Sequence, residues 1–469
     1  MPSSPRPRAR SLCAAALAAA MLPLVAAQPA HAAAGCVNGS PGLGDPFFPY
    51  AGNGGYDVGH YRIELEYTPA TRHLAATTTV TATATASLCR FDLDYRGPKI
   101  SAVTVDGRRA AHRRQGQELI VTPDRRLPAG RSFTVSVRYA GVPRAVIDPD
   151  GSLDGWIRTD DGAFVASEPQ GSPSWYPCND NPRDKATFEV IATVPTGLEA
   201  VGNGDLVRRS TRAGRTTFDW RETAPMSTYL ATMTTGRFTI TTGRTPGGVP
   251  IYNAVDPREA AKAAPALRKQ GDIVDFYAAS FGRYPYSSVG AIVDRAPRVG
   301  YELETQTRPV YDVAPTDMLV AHELAHQWFG DSVTLRTWPQ IWLNEGFATW
   351  SSWWWREHAG VETARHTFRR LYANAASSSI WSPPPARPGK PADLFSNSVY
   401  FRGGMTLEAL REKIGTAEFL TLMRRWATQH RYGTGTIGQF QTLAETVSGQ
   451  PLLHFFDVWL RQPGKPRNW

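Results

Sequence analysis

The chain has 469 residues, 42% of them apolar and 20% charged, with 14 Trp, 17 Tyr and 19 Phe. That length and that stock of large apolar side chains exclude a small peptide, a disulfide knot or a disordered chain, and allow two to four domains at about 100–200 residues each. The formal charge is +9, and it falls to +6 without Arg6, Arg8 and Arg10, with no block of five like charges, so the charge pattern carries no footprint of nucleic-acid binding.

Those three arginines open the chain and precede Ser11 to Ala27, an uncharged stretch, and then Ala30-His31-Ala32. A basic start, an apolar middle and a small-x-small end read as a secretory signal peptide over residues 1–32, and hence as an exported, extracellular protein. A membrane anchor is the alternative, but the stretch is Ala-rich, contains Pro23 and is shorter than the ~20 residues a span needs. Ala9 separates Arg8 from Arg10, which favours the general export route over the twin-arginine one. Cys13 leaves with the signal, and Cys36, Cys89 and Cys178 stay. In an oxidising compartment that predicts one bridge and one spare thiol, with three pairings open. A lipid on Cys36 is the minor alternative, since the apolar run ends too far upstream of it.

From Tyr56 to Phe238 the text is strand-like. Polar and apolar residues alternate through Tyr61 to Tyr67, Thr77 to Leu88 and Phe133 to Tyr139, and Asp106-Gly107, Asp150-Gly151 and Asp161-Gly162 mark turns. After Gly247-Gly248 the period changes. Pro257 to Phe281 has helical spacing, Val289 to Val293 reads as a short strand, and helical text runs from Ala314 onward, broken by a Pro-rich loop at 383–391.

The chemistry lies in His322-Glu323-Leu324-Ala325-His326, inside apolar helical text. Residues four apart share a helix face, so both imidazoles reach one metal ion, while Glu323 sits about 100° round from His322 and faces the open coordination position. With 10 His in the chain, the motif arises by chance on the order of 0.01 times. A catalytic zinc needs a third protein ligand and a vacancy for water. No third His follows closely. Instead a helix restarting at Trp338-Pro339 brings Asn344-Glu345-Gly346, with 18 residues between His326 and Glu345. Three tryptophans on that helix, Trp353-Trp354-Trp355, together with Trp350, offer either the lining of a sugar or substrate cleft or core packing, and core packing is the favoured reading.

The stretch from His322 to Asp331, followed by Trp342-Leu343-Asn344-Glu345-Gly346-Phe347-Ala348, resembles the aminopeptidase N family of zinc metallopeptidases, the gluzincins that include leukotriene A4 hydrolase. Tyr176-Pro177-Cys178-Asn179-Asp180-Asn181-Pro182 and Pro225 to Leu230 resemble motifs of that family's N-terminal domain. The resemblance covers about residues 45–469. It implies an α+β multidomain protein: an N-terminal antiparallel β-sandwich or saddle domain at 45–240, then a thermolysin-like, mainly helical catalytic domain at 245–469, in a short form without the large C-terminal helical domain of many relatives and so with a more open cleft. It also implies one Zn2+ per chain, held by His322, His326 and Glu345, with Glu323 as the base that activates water.

Further roles follow from the same resemblance. Tyr400, in Tyr400-Phe401-Arg402-Gly403-Gly404, is similar to the tyrosine whose hydroxyl stabilises the oxyanion. The family's Gly-Ala-Met-Glu-Asn motif, whose Glu grips the substrate's α-amino group, is represented by Tyr301-Glu302-Leu303-Glu304-Thr305. Glu304 takes the Glu position, and in an extended strand Glu302 points to the same side, as a second carboxylate or a rival anchor. Glu168, in Glu168-Pro169, resembles another amine-contacting Glu, although Ala166 stands where the family has Gln. Carboxylates beside a zinc select an α-amino group, which titrates near ~7.7–8.0 and is largely protonated at neutral pH. The expectation is thus a secreted, monomeric zinc aminopeptidase acting on peptides with a free N-terminus, without nucleic-acid partners or stable membrane insertion. A zinc endopeptidase with no strict need for that terminus, and a catalytically silent peptide-binding relative, are the alternatives.

Overall fold

Alternation along the first strands sets the core of the β-rich part. In the strand Tyr56–Thr68, Tyr61, Ile63, Leu65 and Tyr67 are buried while Glu64 and Glu66 face water, as a half-buried sheet requires. The computed structural model describes residues 35–469, and residues 1–32, expected from the sequence to be a signal peptide, lie with Cys13 outside the described residues. Cys36–Trp469 pack as one unit. An eight-stranded sheet runs in the order Asp205–Arg212, Arg215–Met226, Ala186–Pro195, Tyr56–Thr68, His73–Ala84, Ser132–Gly141, Lys99–Val105 and Arg108–Arg109. It is antiparallel except where Ala186–Pro195 lies parallel to Tyr56–Thr68, because the chain returns to this place by a long crossover and not by a hairpin.

Two smaller sheets complete this part. One carries the strand Leu88–Asp94, to which the Cys36–Cys89 disulfide ties the preceding Val37–Asn38; Cys178 stays an unbridged, buried thiol. The other holds Leu153–Arg158 beside Ala163–Ala166, and the end of that hairpin delivers Glu168 toward the helical part. The segment Tyr176 to Pro182 acts as a staple. Cys178 exchanges backbone hydrogen bonds with Asp94, Asn179 N donates to the Tyr61 hydroxyl at 2.9 Å, and the Thr228 hydroxyl donates to Asp180 at 2.7 Å.

The second part opens with a four-stranded sheet, Thr239–Arg244, Pro250–Val255, Val289–Val293 and Val310–Tyr311. The helical spacing from Pro257 to Phe281 resolves into α1 (Ala260–Leu267) and α2 (Gln270–Phe281). Then come α3 (Asp317–His326), α4 (Trp342–His358), α5 (Ala364–Tyr372), α6 (Gly403–Ile414), α7 (Thr416–Gln429), α8 (Ile437–Ser448) and α9 (Leu453–Phe456). α3 starts where the Thr316 hydroxyl accepts the Leu319 N–H at 3.3 Å, an N-cap with Asp317 in the favoured first turn. The β-rich part grips the loop behind α3: Lys185 Nζ donates to the carbonyls of Asp331 and Ser332 at 2.6 and 3.1 Å. Of the tryptophans singled out on α4, Trp350, Trp353 and Trp355 are buried and Trp354 is half-buried; Trp350 Nε1 donates to Glu408 at 2.9 Å, and Trp353, packed as core, also lines the large cavity beside α3.

Candidate active site

On α3, His322 and His326 are one turn apart and turn their rings inward; on α4, Glu345 stands in the first turn. The Nε2 atoms of the two imidazoles lie 3.1 Å apart, and Glu345 Oε2 lies 3.2 Å from His322 Nε2 and 3.5 Å from His326 Nε2. Those separations match the edge of about 3.3 Å expected of a tetrahedron whose metal–ligand bonds are ~2.0–2.1 Å, and the N/O donor set suits Zn2+. His326 Nδ1 donates to the Phe329 carbonyl at 3.0 Å, which leaves its Nε2 lone pair free for a metal and fixes the ring. Burial works against the Glu345 charge, but His326 and His322 hold its carboxyl below the usual range.

Why α4 sits where it does is a matter of two glycines. A Cβ on Gly346 would lie 2.6 Å from Trp342 and 3.1 Å from the Gly403 backbone, and a Cβ on Gly403 would lie 2.9 Å from Gly346 Cα. Backbones this close bring α6, and the turn Ser398–Arg402 that feeds it, against α4. Tyr400 in that turn consequently stacks on His322, with ring centroids 6.0 Å apart and planes at 27°. Burial, reinforced by Glu345 and Glu168, raises the phenol well above its ordinary value, so it stays a proton donor.

Glu304 is held by the sheet edge. Leu303 exchanges two backbone hydrogen bonds with Val310, and the Gln327 side chain donates to the Glu304 carbonyl at 3.2 Å while accepting from Thr307 N at 2.7 Å. Carboxylate and imidazole atoms of Glu304, Glu323 and His326 lie within 4.8 Å of one another, as do those of Glu168, Glu304 and Glu345. Glu302 belongs to neither group, although it lines the same cavity. The structure thus brings seven of the eight residues marked by the sequence to one centre, while Glu302 lines the same cavity outside these carboxylate–imidazole groups. Gln327 had no assigned role. Its place directly after His326 was the only signal available.

The acids are strained by one another's charge. Burial pushes Glu304 up to about 7, with His326 opposing and Glu345 adding; burial, Glu304 and Glu345 push Glu168 well up; and burial pushes Glu323 up, against the pull of His326. Glu168 Oε1 and Glu304 Oε1 are buried without a hydrogen-bond partner. Buried carboxylates without a cation are costly, and this set lines a cavity of about 740 Å3. The arrangement accommodates two cations, a metal at the imidazoles and a second positive group at Glu168 and Glu304.

Residues 58–230 match the Peptidase M1 N-terminal domain and residues 301–459 the Peptidase family M1 domain. The crystal structure of the M1 zinc metallopeptidase from Deinococcus radiodurans is 30% identical, with a TM-score of 0.83 over 91% of this chain and 99% of that one. The chain belongs to peptidase family M1. Another structure of the Deinococcus metallopeptidase, a mutant bound to a Tyr-Ser-Ala substrate, is also 30% identical, with the same TM-score and coverage. Among curated relatives, Tricorn protease-interacting factor F2 of Thermoplasma acidophilum is 26% identical over 66% of this chain and 42% of its own length. Aminopeptidase M1 of Arabidopsis thaliana is 28% identical over 65% of this chain and 37% of its own. The chain spans about two fifths of the length of these curated relatives. For an M1 peptidase the α+β order seen here, a β-rich part followed by helices, is the family arrangement, and His322, His326 and Glu345 are the residues that would hold its Zn2+.

Proposed function

We propose that the chain is an exported zinc aminopeptidase that removes the N-terminal residue from peptides with a free α-amino group. The observation that carries this reading is the pair of buried carboxylate oxygens on Glu168 and Glu304, neither with a hydrogen-bond partner, next to the candidate metal-ligand cluster. An α-ammonium satisfies both oxygens through charge-assisted hydrogen bonds, and their fixed distance from Glu345 sets the scissile bond one residue in. Zn2+ bound at the imidazoles supplies Lewis acidity and lowers the pKa of a water toward ~7.

The chain's own groups do the rest. Glu323 takes the proton of the attacking water and returns it to the departing amine. Tyr400 donates its hydroxyl hydrogen to the oxygen on which negative charge develops. Glu304 and Glu168 hold the amine, and Gln327 holds the Glu304 backbone. The Cys36–Cys89 disulfide supports an oxidising, extracytoplasmic setting, in keeping with the signal-like residues 1–32, and N-terminal sequencing of protein from the culture medium tests it.

A paired assay decides the substrate reading. Hydrolysis of an aminoacyl-arylamide with a free amine is expected, with little or none of its N-acetylated form. Preference for the blocked substrate overturns the aminopeptidase reading in favour of an endopeptidase.

A further inference from the structure

The cavity continues past the metal ligands. Glu345, Thr349, Ser352 and Arg356 follow at steps of four, three and four along α4, and all four line it, as one helix face would. At about 1.5 Å per residue, the path from Glu345 to Arg356 carries that wall about 16 Å from the metal ligands. There Arg356 meets Glu362 and Arg370, which also line the cavity. Glu362 contacts Arg356 Nη2 at 3.4 Å, Arg370 Nε at 3.5 Å and His366 Nε2 at 3.7 Å.

One carboxylate between two guanidiniums leaves a positive surplus. Burial pushes the Glu362 carboxyl up, but Thr367, Arg370 and Arg356 leave it below its ordinary value, so it remains ionised and offsets one charge only. The contacts are long and peripheral, with side-chain exposures of 30% for Arg356 and 57% for Arg370. Such pairs contribute little to stability, and each fork, with five donors, keeps several of them free. The opposite end of the same cavity is negative, with Glu168, Glu302 and Glu304. A substrate that fills the cavity therefore meets an acidic wall at one end and a basic wall at the other.

We infer that Arg356 and Arg370 form a subsite for a carboxylate on the leaving part of the peptide, either its C-terminal carboxylate or an Asp or Glu side chain. The inference rests on the aminopeptidase reading, which fixes the amine at Glu304 and so the direction of the chain. An extended peptide advances about 3.3–3.6 Å per residue, and the arginine side chains reach inward, so the carboxylate falls about three to five residues beyond the scissile bond. The favoured substrates are short oligopeptides of about four to six residues with a free C-terminus, or longer ones with an acidic residue at that distance.

Alanine-based peptides of two to eight residues, each as free acid and as C-terminal amide, test this through the acid-to-amide ratio of kcat/KM. An amide series with one Glu moved along the chain separates the two sources of carboxylate. In the zinc-loaded wild-type enzyme the ratio should peak at about tenfold, the worth of a single charge-assisted hydrogen bond, near four to six residues, and shrink in high salt. In the double variant R356Q/R370Q it should fall to about one, and in R356K/R370K recover in part. A flat ratio in the wild type overturns the subsite whether or not the variants fold, and a peak that survives in R356Q/R370Q overturns its assignment to these arginines. Failure to cleave any free-amine peptide, acid or amide, overturns the aminopeptidase reading and this inference with it.

Discussion

Glu304 Oε1 lies 4.0 Å from Nδ1 of His326, so the carboxylate proposed to hold the substrate's amine is in direct electrostatic contact with an imidazole of the candidate metal-ligand set. The Gln327 side chain, one residue after His326, ties the Glu304 backbone to α3. Amine site and metal site are thus one rigid piece, and the distance between them is fixed by the fold.

Glu304→Gln should lower kcat/KM for free-amine substrates about a hundredfold, the loss expected of a buried charge-assisted contact, while Glu302→Gln changes it less than about threefold. The wild-type KM should also rise above pH ~8, where the substrate ammonium loses its proton. Steady-state kinetics on an aminoacyl-arylamide checks all three. A larger loss for Glu302→Gln would reverse the roles assigned to the two acids.

Glu323→Gln should cut kcat by about 10²–10⁴, the range for a lost general base, while the purified protein keeps close to one Zn2+ per chain. His326→Ala should lose the metal as well as the activity. Metal analysis beside single-turnover rates distinguishes them, and a Glu323→Gln enzyme of undiminished rate contradicts the proton transfers proposed above.

Tyr400→Phe removes only the hydroxyl and leaves the ring against His322. The expected loss is about 10²–10³ in kcat with little change in KM, as for one oxyanion donor. An effect confined to KM would make Tyr400 a wall of the pocket and nothing more.

Gly403→Ala places a methyl group 2.6 Å from Trp342 and 2.9 Å from Gly346 Cα. Separating α6 from α4 should cost about 1–3 kcal/mol and lower Tm by several degrees, and kcat should fall because Tyr400 moves with the turn. Thermal unfolding of the zinc-loaded protein reads the first effect. An unchanged Tm means that the two helices tolerate a wider spacing than their contact suggests.

The local parts of this site were legible because helix periodicity is a local rule. His322 and His326 at four residues, Glu323 between them and a second helix start before Glu345 are all spelled out within 24 positions. Alternation likewise marked Tyr61 to Tyr67 as a buried strand face. Glu302 and Glu304 were not separable, since extended geometry puts both on one side. It is Glu304 that shares the cluster with Glu168 and Glu345, and its backbone accepts a hydrogen bond from Gln327, 23 positions further on, a pairing that no local period announces.

By itself, then, the sequence determined the metal-ligand candidates, the candidate general base, the change from strand to helix and the surplus of one cysteine over a single bridge. Only the tertiary structure paired Cys36 with Cys89, brought Glu168 from a β-hairpin to Glu304 and Glu345, stacked Tyr400 on His322 through the Gly346–Gly403 contact, and set Arg356 and Arg370 on the wall away from the metal. The reason is physical: the period of a helix or strand is set by neighbouring residues. The meeting of charges from distant segments is set by how closely backbones pack, and that depends on the whole chain.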